Sequence, residues 1–135
     1  MADPIYRSSG KFNDASPSIG RVILPDAVPA GKRLVIQTVT GWYYGDNATL
    51  GTALLTLNSM EFAFPWVPGN PCCGGDGNEH KDSSRRFYGF NHHVVLSADG
   101  PSKLQFDAAG GSFFGGSTSH EGAYSVYGYL IDIPA

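Results

Sequence analysis

Charge is scarce in this chain. Only 16% of its 135 residues are Asp, Glu, Lys or Arg, and the formal net charge is −3. Lysines and arginines are scattered apart from the pair Arg85 and Arg86. A nucleic-acid partner needs a clustered basic face, so that class is excluded. Apolar runs fall far short of the ~20 residues that span a bilayer, so no membrane insertion by a helix is expected. Strong helix formers are few and no segment carries a helical period, which excludes a bundle. There are two cysteines, adjacent at Cys72 and Cys73, too few for a disulfide framework.

Turn formers and aromatics are abundant: 18 glycines, 9 prolines, 8 phenylalanines, 7 tyrosines and 2 tryptophans. Aromatics and β-branched residues suit half-buried pleated surfaces, and Gly and Pro punctuate them. The length suits one domain with its own core. Residues 1–19 read as an extended N-terminal arm, and residues 20–135 as an all-β, single-domain antiparallel β-sandwich of jelly-roll type.

Short strands are expected at 21–24, 33–41 (extended by Trp42, Tyr43 and Tyr44), 50–57, 62–67, 86–90, 93–97, 103–106 and 123–133. In 33–41, alternation puts Leu34, Ile36 and Thr38 on one face and Val35, Gln37 and Val39 on the other. Pro65 marks an edge or a bend. Pro29, Ala30, Gly31 and Lys32 form a turn in which glycine supplies a positive φ.

The closing run is apolar on both alternating sets. Tyr124, Val126 and Leu130 form one; Tyr127, Tyr129, Ile131 and Ile133 form the other. A strand covering one core alternates apolar with polar. Tyr127 and Tyr129 are therefore expected at an interface with another copy of the chain.

Two segments carry a resemblance. Residues 28–36 and 126–132 are similar to small exported bacterial β-sandwich proteins of unassigned function, and the Gly-aromatic-Leu-Ile ending resembles the last strand of C1q and tumour-necrosis-factor-like jelly rolls. The resemblance implies the fold, binding and assembly as a homo-oligomer, with a trimer favoured; it brings no site residue. The opening Met1, Ala2, Asp3 and Pro4 have no apolar signal core. The two locations compatible with this are a mature secreted or periplasmic domain and a cytoplasmic protein.

Four groups of residues can bear chemistry. Rings beside loops, with polar neighbours, suit a carbohydrate or cell-surface ligand: Trp42, Tyr43, Tyr44 and Trp66 with Asp46, Asn47, Arg85, Arg86 and Asn91. In the long loop after Val67, Asp76, Asn78, His80 and Asp82 place oxygen and nitrogen donors at alternate positions, a candidate calcium loop, though without the EF-hand glycine and closing glutamate. Cys72 and Cys73 can close a strained vicinal disulfide, or stay reduced. The consecutive His92 and His93 point to opposite faces of a strand, which argues against a shared zinc site. No Gly-x-Ser-x-Gly elbow and no phosphate-binding glycine motif precedes a helix. A non-enzymatic binding module without cofactor is the first expectation. The alternatives are a structural subunit of a surface, appendage or phage particle, and a metal-dependent enzyme built on the 68–82 loop.

Overall fold

A computed structural model describes residues 5–13, 21–46, 52–71, 85–109 and 121–134. These residues hold nine strands: β1 (Ile5–Asn13), β2 (Val22–Ile23), β3 (Lys32–Asp46), β4 (Thr52–Leu57), β5 (Met60–Pro65), β6 (Val67–Pro71), β7 (Arg85–Asp99), β8 (Gln105–Ala109) and β9 (Glu121–Asp132). They form a five-stranded sheet in the order β1-β9-β3-β7-β6 and a four-stranded sheet in the order β2-β8-β4-β5. The named pairings are antiparallel. The chain changes sheet at every connection except β4–β5 and β6–β7, which gives the wrapped strand order of a jelly roll.

Local chemistry accounts for the corners. Asn58 and Ser59 close the β4–β5 hairpin with φ of 47° and 72°, the double positive φ of a turn whose twist matches its strands. Gly31 has φ of 81°, and the Lys32 amide donates to the Pro29 carbonyl at 3.2 Å, a type II turn with glycine at its third residue.

The core lies between the sheets. Leu34, Ile36, Val39, Leu55, Leu104, Phe106, Tyr124 and Val126 are all fully buried. Its aromatic part is one continuous set of ring contacts. Phe106 stacks on Tyr124 at 4.3 Å and 2° between ring planes; Phe12 meets Tyr124 at 5.3 Å; Phe64 stacks on Phe90 at 5.3 Å. Two edges are tied by side chains: the Tyr6 hydroxyl donates to the Asp26 carbonyl, and Arg33 donates through Nε and Nη2 to both carboxylate oxygens of Asp99 at 2.6 and 3.1 Å.

Several boundaries differ from the sequence reading. Residues 5–13 of the expected arm are a sheet strand, paired along their whole length with β9, and they put Tyr6 and Phe12 into the core. The expected strand 62–67 is two strands in two sheets: β5 ends at Pro65 on a sheet edge and the chain crosses at Trp66 into β6. The runs 86–90 and 93–97 are one continuous strand, β7, because the Asn91–His93 segment pairs with β3 like its neighbours. The simple alternation of 33–41 fails at one residue. The register shifts between Ile36 and Thr38 on both sides of β3: against β9 the exposed Gln37 is an extra residue, while against β7 the extra residue lies on β7, where Val94 and Val95 span the step taken by Gln37. Beyond it Val39, not Thr38, faces the core.

Candidate ligand-binding face

The bulge decides what the five-stranded sheet shows to solvent. After Gln37, the inward set of β3 is Val39, Gly41 and Tyr43, so the outward set is Thr40, Trp42 and Tyr44. Neighbouring strands keep step. Partners across the sheet share a face, which arranges the outer surface in rows. Ile5, Tyr129, Val35 and Ser97 make one row, and Arg7, Tyr127, Thr38 and His93 the next. Ser9, Ser125, Thr40 and Asn91 form the middle row; Lys11, Ala123, Trp42, Gly89 and Val67 follow. The last row holds Glu121, Tyr44 and Phe87.

Two apolar zones lie on this face with a polar row between them. At one end Trp42 (39% exposed) and Phe87 (48%) expose their rings. Phe87 lies 6.3 Å from Trp42 and 4.7 Å from Tyr44, ring centre to ring centre. At the other end Ile5, Arg7, Gln37, Tyr127 and Tyr129 line an open groove of about 480 Å³. Tyr129 and Ala123 are six residues apart on β9, so the two zones are separated by about 20 Å. In the row between them, Ser9 Oγ and Ser125 Oγ are 2.7 Å apart. On the three central strands, no outward residue from Val35 to Tyr44, from Phe87 to Ser97 or from Ala123 to Ile131 is Asp, Glu, Lys or Arg. Solvated surfaces normally mix both signs of charge at a quarter or more of positions; interface and ligand surfaces lose charge and gain Tyr, Trp and Phe.

The residues expected to bind a ligand separate. Trp42, Tyr44 and Asn91 share the outer face, with Asn91 one row from Trp42. Tyr43 does not join them: it is 1% exposed and its ring stacks on Tyr88 inside the sandwich at 5.1 Å. Sequence adjacency put it in the group; strand alternation takes it out. Trp66 packs against the core, 5.0 Å from Phe90 and 5.9 Å from Tyr43 and Tyr124, so its ring is committed to the interior. Asp46 pairs in register with Arg85, and Arg86 with Gly45, at the Trp42 end of the sheet. Asn47 lies outside the described residues, as do Cys72, Cys73, Asp76, Asn78, His80 and Asp82. Among the described residues no three His, Cys, Asp or Glu side chains converge on a metal-sized site.

The histidine pair divides as alternation requires. His93 Nδ1 lies 3.3 Å from the Thr38 hydroxyl on the outer side, while the His92 ring packs 5.5 Å from Phe64. Tyr127 (39% exposed) and the half-buried Tyr129 face outward, opposite to Tyr124 and Val126. The hydroxyl and amide row was missed in the sequence because no single strand contains it; only the pairing of four strands assembles it. Phe87 was visible as part of an aromatic run, but its exposure follows from Tyr88 and Phe90 pointing inward.

No protein-family model matches the chain, and no curated protein matches it.

Proposed function

We propose that the protein is a non-enzymatic binding module, exported from the cell, whose ligand is an uncharged carbohydrate held on the outer face of the five-stranded sheet. The observation that carries this is the aromatic platform of Trp42, Tyr44 and Phe87, bordered by Lys11 and Glu121, beside the uncharged Ser9–Ser125–Thr40–Asn91 row. Rings with exposed faces stack on the apolar side of a sugar, and hydroxyls and an amide exchange hydrogen bonds with sugar hydroxyls at no cost in buried charge. A flat surface about 30 Å long offers this chemistry to a chain of several sugar units. The expected loop site thus moves onto the sheet.

Binding of neutral polysaccharides, read on a glycan array and then by calorimetry, tests the reading. Trp42→Ala and Phe87→Ala each remove one ring. The loss of about 1–2 kcal/mol raises Kd by about 5- to 30-fold. Unchanged binding in both variants, or no glycan bound by the native chain, rejects it.

A second reading is favoured by the groove at Ile5, Tyr127 and Tyr129. Tyrosine buries area while keeping a wet tip, so this half of the face suits another copy of the chain, the trimer that the C1q-like ending implies. In that reading, exchanging both Tyr127 and Tyr129 for Ser converts the oligomer to monomer in sedimentation.

A further inference from the structure

The rim of the same sheet carries a separate feature. Strand β7 pairs with β3 from Arg85 to Asp99, but on its other side β6 accompanies it only as far as Gly89, where Val67 is the partner. From Asn91 to Ser97 no described strand lies alongside. Asn91, His93, Val95 and Ser97 are all exposed, and Val95 is 94% exposed.

Backbone directions show what this rim offers. The Gly100 amide donates to the Lys32 carbonyl at 2.8 Å, toward β3, whereas the Asp99 carbonyl accepts from Asn58 Nδ2 on the far side at 3.3 Å. Successive residues of a strand point their amides and carbonyls to opposite sides. Ser97, Val95, His93 and Asn91 therefore direct theirs outward, away from β3.

Among the described residues, the four outermost strands are blunted in the way that prevents strand addition. Strand β1 carries Arg7 and Lys11, β5 carries Glu61 and Pro65, β6 carries Pro68 and Pro71, and β2 is two residues long. The stretch from Asn91 to Ala98 holds no Asp, Glu, Lys, Arg or Pro, and contains Val94, Val95 and Leu96. It is a strand-addition site by composition and by geometry.

We infer that a second copy of this chain occupies it, with the two β7 strands running antiparallel about a two-fold axis at Val95. The edge is self-complementary in that register. Val95 faces Val95, and His93 faces Ser97 twice, so no like charges meet. The same operation on β1 about Ser9 would set Arg7 against Lys11, a repulsive pair. The vacancy also has the right length. The partner strand runs only to Asp99 and leaves the sheet at Gly100–Pro101, so it stops short of Val67, which sits beside Gly89. About six backbone hydrogen bonds form, two for each of the three pairs, and two exposed valines become a cross-strand contact on the outer face. The two sheets join into one of ten strands, and the outer faces of both copies become one surface. This contact does not depend on the carbohydrate reading and uses the rim of the sheet, not the tyrosine groove.

Sedimentation velocity from low to high micromolar concentration tests it. The native chain shows a reversible dimer. Val95→Lys puts two ammonium groups face to face; Val95→Pro removes the outward amide while leaving the β3 ladder whole, since proline is tolerated where an edge amide faces solvent. Both weaken dimerisation at least tenfold while far-UV circular dichroism stays native. In a background with Cys72 and Cys73 changed to Ser, Val95→Cys cross-links to itself on mild oxidation, because facing residues of a hydrogen-bonded pair stand about 5.5 Å apart, within disulfide range. Val67→Cys, also at an exposed position, does not. A monomeric native chain, a dimer that survives Val95→Pro, or equal cross-linking at Val67 overturns the inference. Dissociation by the tyrosine exchange together with resistance to Val95→Pro assigns assembly to the groove and overturns it as well.

Discussion

Tyr124 is fully buried, yet its hydroxyl has no hydrogen-bond partner among the described residues. A hydroxyl desolvated without compensation costs about 1–3 kcal/mol. Tyr124→Phe deletes that atom and keeps the ring that stacks on Phe106 at 4.3 Å. The variant should gain about 1–2 kcal/mol at neutral pH, a rise of roughly 3–7 °C in Tm for a domain of this size. The same residue makes a second, independent demand. Burial holds the Tyr124 hydroxyl well above the ordinary tyrosine range, and the nearby Asp107 carboxylate pushes it the same way. In the unfolded chain it ionises near pH 10. Above that pH the folded state keeps a proton that the unfolded state has released, so stability falls at up to ~1.4 kcal/mol per pH unit for this one group. Tyr124→Phe removes that share of the alkaline loss. Urea unfolding followed by circular dichroism at pH 7, 10 and 11 measures both effects. The variant's advantage should widen by about 1 kcal/mol between pH 10 and 11. A variant less stable than the native chain at pH 7, with parallel alkaline curves, would mean that the hydroxyl is bonded, and would refute the reasoning.

Gly128 faces the bulge region, and a Cβ built there would stand 2.0 Å from the Val35 carbonyl oxygen. Because the obstacle is backbone, Gly128→Ala should cost about 3 kcal/mol or more, seen as a Tm lower by ~10 °C. Asp99→Asn tests the Arg33 pair. The hydrogen bond from Arg33, more than its charge, holds the Asp99 carboxyl below its usual range. The pair therefore stabilises above the unfolded value near pH 4 and loses its effect as pH falls through the lower folded value. The Asn variant should show a flatter stability curve between about pH 4 and 2, and a native-like slope there would remove the pair from the account.

Fold class and much of the interior were legible in the chain, because periodicity two is a local property. The doubly apolar ending announced that β9 shows Tyr124 and Val126 to one side and Tyr127 and Tyr129 to the other, and it does. Gly31 and its turn were equally plain. What escaped was everything that depends on pairing. Residues 5–13 look polar and arm-like, yet Tyr6 and Phe12 become core once β9 lies alongside. The break expected near Asn91 is absent because β3 supplies partners straight through it. The binding face is a row structure across strands far apart in sequence, so no window along the chain contains it.

The most consequential of these non-local features is one residue. Val39, Gly41 and Tyr43 are buried and Trp42 and Tyr44 face outward only because Gln37 is an insertion in β3. Were Gln37 an ordinary step of the alternation and not a bulge, residues 38–44 would turn over, since a slip of one residue exchanges the two faces. Trp42 and Tyr44 would then point into the sandwich and Tyr43 out. The core has no place for them: a mere Cβ at Gly41 already comes within 2.5 Å of the Phe90 ring. An indole brought to this crowded layer meets Phe90, Tyr124 and Trp66 at native packing density. Deleting Gln37, by contrast, joins Ile36 directly to Thr38 opposite the adjacent Gly128 and Tyr127, gives plain alternation with the same residues inward, and should leave a cooperative thermal transition. Gln37→Ala, at an exposed position, should change stability by no more than about 0.5 kcal/mol. Both variants should keep Trp42 outward and its indole open to a soluble fluorescence quencher. If the deletion variant does not fold, or shields Trp42 from the quencher, residues 38–44 do not keep their faces without Gln37, and the assignment of Trp42, Tyr44 and Phe87 to one platform falls with it.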